Sequence, residues 1–306
     1  MARSRFVGDA GLTARMTLVM FLLGGLFVVL IVGLMYAFRG SGMALLIGLG
    51  GIGFAVYQWY SSDKVAMRAM RAREVSPEEA PELHGIIDRL CALADMPKPR
   101  VGIADTSVPN AFATGRSPDR AVVCVTTGIL QTLDLEELEA VLAHELSHVA
   151  HRDVLVMTVA ASAGITAGAL AQGAQYGAFF GGGRRDNNNN GLPIWLVVLL
   201  VSVVVYAVSF VLLRVLSRYR ELAADRAGAH LTMKPGALAS ALQKISGEMA
   251  TIPQRDLRQV SAASALCIAP ALKGTGVSSL LSTHPPLEKR LEQLAKIQAE
   301  LGRPTV

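Results

Sequence analysis

Charged residues are scarce in this chain. Asp, Glu, Lys and Arg make up 17% of its 306 residues, whereas soluble globular proteins carry about 25%. Hydrophobic residues make up 52%, and several long stretches contain no charge at all. This composition argues against an ordinary soluble protein and predicts a membrane protein.

Cysteine is also rare, with Cys91, Cys124 and Cys267 as its three occurrences. None of them belongs to a Cys-x-x-Cys pair, and an odd number does not predict a disulfide framework. We expect reduced, partly buried thiols in a cytosolic compartment. The pattern does not support a redox or nucleophilic role.

The formal net charge is +5, and a basic chain can bind nucleic acid. Here, however, Lys and Arg gather beside the apolar runs, and the sequence has no basic stripe and no nucleic-acid-reading motif. The charge therefore predicts contact with the anionic head groups of a lipid bilayer. No nucleic-acid partner is expected.

Four apolar runs organise the chain, at residues 17–38, 43–60, 154–180 and 193–216. About 20 apolar residues can cross a bilayer as a helix. We therefore predict about four transmembrane helices in two hairpins, of which the first helix is an uncleaved anchor. The third run is rich in Ala and Gly, which suits helix packing more than lipid contact. Its composition alone therefore does not decide whether it crosses the whole bilayer.

These runs divide the chain into four segments. Residues 1–60 are an N-terminal arm and a transmembrane hairpin, and residues 154–216 are a second hydrophobic hairpin with a polar loop at 181–192. Residues 61–153 and 217–306 form the two parts of one soluble domain. Basic residues lie on both sides of the first hairpin, so the positive-inside rule places the N-terminus and this domain in the cytoplasm. They are Arg3, Arg5, Arg15, Lys64, Arg68, Arg71 and Arg73.

Local signals predict that the soluble domain is α+β, mostly helical, with a small sheet. Helix start signals and apolar periodicity predict helices at 76–94, 135–151 and 286–301. Pro and Gly turns bound short strands at 100–105, 111–114 and 121–126. The helix at 135–151 is expected to run on into the third apolar run.

The sequence His144-Glu145-Leu146-Ser147-His148 lies inside that helix. Histidines four residues apart share one helix face, which suits two ligands of one tetrahedral metal ion. Glu145 can reach a water at the metal and act as general base. Apolar neighbours bury this helix face, where unpaired histidines would be costly. We therefore favour a metal site over a chance pattern or a surface histidine pair.

A third protein ligand would leave one position of the metal open for water. Glu221 is the better candidate, because it follows the fourth apolar run where the chain re-enters the cytoplasm. Asp225 shares its helix face and can accept a hydrogen bond from a ligand imidazole. His151, at the end of the histidine helix, is a weaker candidate. Taken alone, the segment around Glu221 also fits a solvated acidic face.

An ordered set of motifs extends over nearly the whole chain, interleaved with the two apolar hairpins. The motifs are Pro109-Asn-Ala-Phe-Ala113, His144-Glu-Leu-Ser-His148, Arg220-Glu-Leu-Ala-Ala-Asp225, Ala265-Leu-Cys-Ile268 and Thr283-His-Pro-Pro-Leu-Glu-Lys-Arg290. Because it contains these motifs in this order, the chain resembles the HtpX family of bacterial membrane proteases, which is related to the eukaryotic CAAX prenyl proteases.

The resemblance implies a zincin-like metalloprotease fold. It also implies one Zn²⁺ per subunit, held by His144, His148 and Glu221, with Glu145 as the catalytic base. The resemblance further implies an edge strand that flanks the cleft and pairs with an extended substrate. This strand comprises Asn110, Ala111, Phe112 and Ala113.

Two further residues are implied near the site by the resemblance. His284 would stabilise the transition state as a hydrogen-bond donor, and Arg290 would anchor the same segment or a carboxylate. From the residues alone, His284 also fits a turn before two prolines, and Arg290 fits a solvated helix charge.

The predicted function is that of a zinc-dependent endopeptidase of the bacterial inner membrane. It would degrade misfolded or damaged membrane proteins at the cytoplasmic face under envelope stress. A CAAX-type processing protease would carry more membrane spans, and the intact Glu145 argues against a non-catalytic scaffold or chaperone. An intramembrane site-2-type protease is disfavoured because the histidine motif lies in the charged stretch 134–153. The sequence does not fix the oligomeric state.

Overall fold

The protein divides into two compact units in a computed structural model. The structure is described for residues 10–37, 43–157, 167–168, 170–172, 175, 194–251, 268 and 284–302. The sheet unit comprises Met1–Leu12, Trp59–Leu155 and Ser217–Val306, and the apolar unit comprises Thr13–Gln58 and Val156–Leu216.

The apolar unit contains most of helix α1 (Ala10–Ala37) and the first parts of two further helices, α2 (Met43–Ala69) and α6 (Ile194–Thr232). Its core includes Leu30, Val198 and Val205. Apolar side chains also cover its outside, with Phe21 77% exposed. Apolar helices that expose such residues are typical of contact with lipid.

Two of the described helices contain stretches that are long and apolar enough to cross a membrane, at Thr13–Leu30 and Trp195–Thr232. They correspond to the first and fourth predicted runs. Most of the third run, the polar loop 181–192 and most of motif 265–268 lie outside the described residues. Four transmembrane helices therefore stay a prediction.

The sheet unit is built on four strands: β1 (Ala72–Glu74), β2 (Arg100–Ala104), β3 (Ala111–Thr114) and β4 (Val122–Thr126). Their order is β1-β2-β4-β3. Strand β4 runs parallel to β2, and β1 and β3 are antiparallel to their neighbours. Within the described residues, β3 therefore forms one edge of the sheet.

Helices surround this sheet and form one hydrophobic core with it. They are α3 (Pro81–Ala94), α4 (Thr127–Thr132), α5 (Leu135–Ala150), the last part of α6, α7 (Pro235–Thr251) and α8 (Leu287–Leu301). Leu142 and Leu146 of α5 are fully buried beside Ile245 of α7 and Leu294 of α8. Helix α5 is thus enclosed by the other elements, which confirms the predicted helical domain with a small sheet.

Helix α5 has well-defined ends. A capping box starts it, in which the Asp134 side chain accepts from the Glu137 N–H and the Glu137 side chain accepts from the Asp134 N–H. It ends at Ala150, and Arg152 then adopts a left-handed φ of 56° before a new helical segment at residues 153–157. The prediction that the histidine helix runs on into the third apolar run is therefore wrong, because the left-handed residue interrupts its backbone hydrogen bonds.

Two other boundaries differ from prediction. Helix α3 begins at Pro81 and not at Ser76, because the Ser76 N–H donates to the Glu79 carboxylate and residues 76–80 form turns. Helix α6 continues without interruption from Ile194 to Thr232, through the predicted boundary at 216.

Candidate metal centre

The histidines of helix α5 face each other in the protein interior. His144 is 1% exposed and His148 is 9% exposed. Their Nε2 atoms are 3.2 Å apart, and the four-residue helical spacing allows this approach because it places both side chains on one helix face. Two donors bound at about 2.05 Å to one tetrahedral zinc ion would be about 3.3 Å apart. The pair is therefore spaced like two ligands of one ion.

Helix α6 brings a carboxylate to the same point. The Glu221 oxygens lie 3.7 Å from His144 Nε2 and 3.6 Å from His148 Nε2. One donor atom of each of the three residues lies within 4.8 Å of the others. The three predicted ligands are thus brought together, although Glu221 is far from the histidines in the sequence.

A close approach of the two helices makes this arrangement possible. A Cβ atom added at Gly228 of α6 would lie 2.9 Å from the backbone nitrogen of His144. Glu221, Asp225 and Gly228 recur at the spacing of one helix face. Glycine therefore lets this face of α6 pack directly against the histidine helix.

Each histidine has a carboxylate at its other ring nitrogen. His144 Nδ1 lies 2.9 Å from Asp225 Oδ1, and His148 Nδ1 lies 2.6 Å from Asp153 Oδ2. A carboxylate at Nδ1 holds the proton there and leaves the lone pair on Nε2. Both Nε2 lone pairs then point toward Glu221, and this donor set fits a divalent cation.

Both carboxylates are themselves held by arginines. Arg290 of α8 donates to Asp225 through Nε at 2.7 Å and Nη2 at 2.6 Å, and is almost fully buried. Arg220 of α6 lies 2.9 Å from Asp153 through Nη2. These paired contacts compensate the buried carboxylate charges and fix their direction toward the imidazoles.

Glu145 points in another direction, toward strand β3. Its carboxyl group is buried, and burial raises its pKa to about 7. The backbone N–H of Ala113 hydrogen bonds to it. A carboxyl group with a pKa near neutrality can take up and release a proton at physiological pH.

His284 lies next to the third candidate ligand. Its Nδ1 is 3.0 Å from Glu221 Oε2, and its side chain is buried. The structure thus brings His284 and Arg290 to the site, and the role of His284 in the transition state stays a prediction. His151 caps the end of α5 and does not belong to the three-residue donor cluster.

The predicted substrate strand divides into two faces. Ala111 and Ala113 lie on the side of the core formed with α5, whereas Phe112 packs on Ala66 of α2 and on Met70, just after that helix. The Asn110 side chain is fully buried.

The sequence interpretation missed Asp153 as the partner of His148 and Arg220 as the partner of Asp153. An acidic residue just after the histidine helix and the basic residue beside Glu221 are visible signals. The pairing depends on the turn at Arg152, which the sequence does not indicate.

Comparison with known proteins identifies the family of the chain. The family model described as Peptidase family M48 matches residues 77–298. Protease HtpX homolog 1 of Streptomyces coelicolor is 52% identical over 301 residues, which cover 98% of this chain and 97% of that protein. Protease HtpX homolog of Moorella thermoacetica is 51% identical over 303 residues and 98% of each chain. The predicted resemblance to the HtpX family is thereby confirmed.

A solved structure shares the fold. The crystal structure of S. mikatae Ste24p matches with a TM-score of 0.55 over 92% of this chain, at 15% sequence identity. The present chain spans 65% of the length of that protein. With the family model covering most of the chain and relatives about half identical along almost all of it, the chain belongs to peptidase family M48 and is a metalloprotease.

Proposed function

We propose that the chain is a zinc-dependent endopeptidase of the bacterial inner membrane that hydrolyses misfolded or damaged membrane proteins at the cytoplasmic face. The observation that carries the proposal is the convergence of His144, His148 and Glu221 beside the buried Glu145. Two imidazoles and one carboxylate are the ligands of many hydrolytic zinc sites.

The proposed zinc ion would be held by His144 Nε2, His148 Nε2 and the Glu221 carboxylate. When bound, it would supply Lewis acidity to the peptide carbonyl and to the attacking water. Asp153 accepts the Nδ1 proton of His148 and so keeps that imidazole in the tautomer that binds metal. The negative charge of Asp225, 2.9 Å from His144 Nδ1, favours the same tautomer in His144.

Glu145 is the proposed catalytic base. Its carboxylate would accept a proton from the attacking water and pass that proton to the nitrogen of the leaving amine. A pKa of about 7 suits both transfers. The Ala113 N–H orients the carboxylate before the reaction, since it hydrogen bonds to Glu145.

Strand β3 is the proposed substrate-binding element. The Thr126 N–H donates to the Asn110 carbonyl, so backbone groups of alternate residues from Asn110 onward point toward β4. The backbone groups of Ala111 and Ala113 then point toward the free edge, where the Ala113 N–H contacts Glu145 and the Ala111 groups and the Ala113 carbonyl face a substrate. An extended substrate can add there as a further strand, next to Glu145.

The membrane location rests on the apolar helices. Helices α1 and α6 are apolar enough to span a bilayer, and the basic residues around the first hairpin favour a cytoplasmic N-terminus and site. A protease with such an anchor meets membrane proteins as its nearest substrates. On this basis we further propose that the chain crosses the membrane four times and that it removes damaged membrane proteins under envelope stress.

The test compares purified wild type with Glu145→Gln, both loaded with zinc, on an unfolded soluble protein. We expect the variant to bind zinc normally and to lose at least about 100-fold in kcat/KM, the range of acid–base catalysis. Equal cleavage by the two proteins would refute the mechanism. A second assay in vesicles compares a destabilised membrane protein with its stable parent, and equal degradation of both would refute the quality-control role.

A further inference from the structure

The mechanism above leaves the Asn110 side chain without a role. This amide is fully buried at the start of strand β3. Its Oδ1 accepts a hydrogen bond of 3.0 Å from the backbone N–H of Ile268, which is 158 residues away in the sequence. The side chain therefore connects the edge strand to a distant part of the chain.

The contact continues from Ile268 to the candidate metal ligands. Arg290 Nη1 donates to the Ile268 carbonyl at 2.8 Å, while Nε and Nη2 of the same guanidinium bind Asp225. Asp225 in turn lies 2.9 Å from His144 Nδ1. All five residues are at most 2% exposed, so water does not compete with these contacts. We call this series, from Asn110 through Ile268, Arg290 and Asp225 to His144, the buried relay.

The other end of the buried relay is fixed to the sheet. The Asn110 N–H donates to Thr126 Oγ1 at 2.9 Å, and the Asn110 carbonyl accepts from the Thr126 N–H at 3.0 Å. Thr126 Oγ1 also caps helix α4 by accepting from the Ile129 N–H. Asn110, the residue just before the edge strand, is therefore held from its backbone by β4 and from its side chain by Ile268.

We propose that Asn110 is a positioning residue that fixes the distance between the substrate strand and His144 through the buried relay, and so determines which peptide bond is cleaved. This inference rests on the zinc site and the strand-addition mode of the proposed function. The side chain of Asn110 does not contact substrate in this assignment.

Directional contacts are needed here because the parts come from separate regions of the chain. In the sequence, strands β3 and β4 precede the second segment of the apolar unit, Val156–Leu216, whereas Asp225 and Arg290 follow it. Apolar packing between such elements tolerates small shifts, and a misplacement of about 1 Å can cost about 100-fold in rate. Hydrogen bonds link Asn110 to Ile268, Ile268 to Arg290 and Arg290 to Asp225. With the 2.9 Å contact between Asp225 and His144 Nδ1, they hold the position of the strand more narrowly than apolar packing does.

The experiment uses the purified full-length chain with Asn110→Ala, Arg290→Lys and the control Ser240→Ala. Ser240 also makes a hydrogen bond to helix α5, through Glu137 Oε1 at 2.6 Å, but lies outside the buried relay. Zinc affinity is measured by competition with a chelator. Cleavage positions in an unfolded protein are mapped by mass spectrometry, and thermal unfolding is recorded for each variant.

Arg290→Lys loses the forked contact with Asp225 and Ile268, so we expect zinc affinity to fall about 10- to 100-fold. Asn110→Ala, which touches no metal ligand, is expected to lower zinc affinity about tenfold or less and to add cleavage sites that the wild type does not use. Ser240→Ala is expected to keep the wild-type affinity and cleavage sites whatever its thermal stability.

Wild-type zinc affinity and wild-type cleavage sites in Asn110→Ala would overturn the proposal. If Asn110→Ala does not fold, unchanged cleavage sites in Arg290→Lys would overturn it equally. New cleavage sites in Ser240→Ala would also refute it, because general destabilisation would then explain the effect. If the wild type itself binds no zinc, the proposed function fails and this inference fails with it.

Discussion

The imidazoles of His144 and His148 meet edge to face, with ring planes at 86° and their Nε2 atoms 3.2 Å apart. A carboxylate lies at the Nδ1 atom of each ring, so both lone pairs are directed at the same small space. Two such lone pairs repel each other unless a cation lies between them. The folded chain therefore contains a site whose electrostatics favour a bound metal ion.

Metal removal is expected to destabilise the protein. Zinc bound to the folded donor set, as proposed, would stabilise the protein by about 4 kcal/mol at a free concentration 1,000 times the dissociation constant. Thermal unfolding with a chelator should therefore occur at a lower temperature, and added zinc should restore the original value. Magnesium serves as the control, since it prefers oxygen ligands. A melting temperature that does not respond to zinc would contradict the metal site.

Asp153→Asn is expected to weaken zinc binding about 10- to 100-fold, as for other residues that orient a ligand histidine. The substitution removes the charge that accepts the His148 Nδ1 proton and leaves Arg220 without its carboxylate partner. Chelator competition measures the change. Asp88→Asn, at a surface pair with Lys98, is the matched control and should bind zinc like the wild type.

Gly228→Ala is expected to displace the histidine helix. The new methyl group would lie 2.9 Å from the His144 nitrogen, and overpacking of this kind costs about 1–3 kcal/mol. Gly247→Ala is the control, because no atom lies within 4 Å of a Cβ there. A helical glycine in open space gains about 0.5–1 kcal/mol on replacement by alanine. Denaturant unfolding and zinc affinity should thus change in Gly228→Ala, whereas Gly247→Ala should only gain stability.

The described thiols are expected to resist alkylation. Burial raises the pKa of Cys91 to about 11 and that of Cys124 to about 12. The thiolate is the reactive form, and at pH 8 a raised pKa leaves very little of it. Iodoacetamide at pH 8 should label both residues slowly in the folded protein and quickly after unfolding, as mass spectrometry of the peptides can measure. Rapid labelling of the folded protein at either residue would contradict this burial.

Local signals were enough to predict the central elements of the sheet unit. Asp134 marks the first turn of α5, and Ala111–Thr114 is both the predicted and the observed strand. Strand β1 was not predicted, because its three residues Ala72–Glu74 carry no apolar alternation and are stabilised by pairing with β2. Where long-range pairing creates an element, the local sequence contains little information about it.

The same distinction applies to the candidate metal centre. The four-residue spacing of His144 and His148 is a local property and predicted their shared face. The contact of Asp153 with Arg220 depends on the left-handed turn at Arg152. The contact of Asn110 with Ile268 joins positions 158 residues apart. Neither of these two contacts could be identified from the sequence, because no helical or strand period relates Asp153 to Arg220 or Asn110 to Ile268.

The division of the sheet unit by the apolar unit has a consequence for the newly synthesised protein. Translation proceeds from the N-terminus, so the ribosome makes Glu145 and both histidines before residues 156–216, and Glu221 only after them. Arg290 follows last, near the end of the chain. A partly made chain therefore carries the proposed catalytic base without the complete donor set, and the proposed protease would stay inactive until residues 156–216 and then Glu221 have been synthesised.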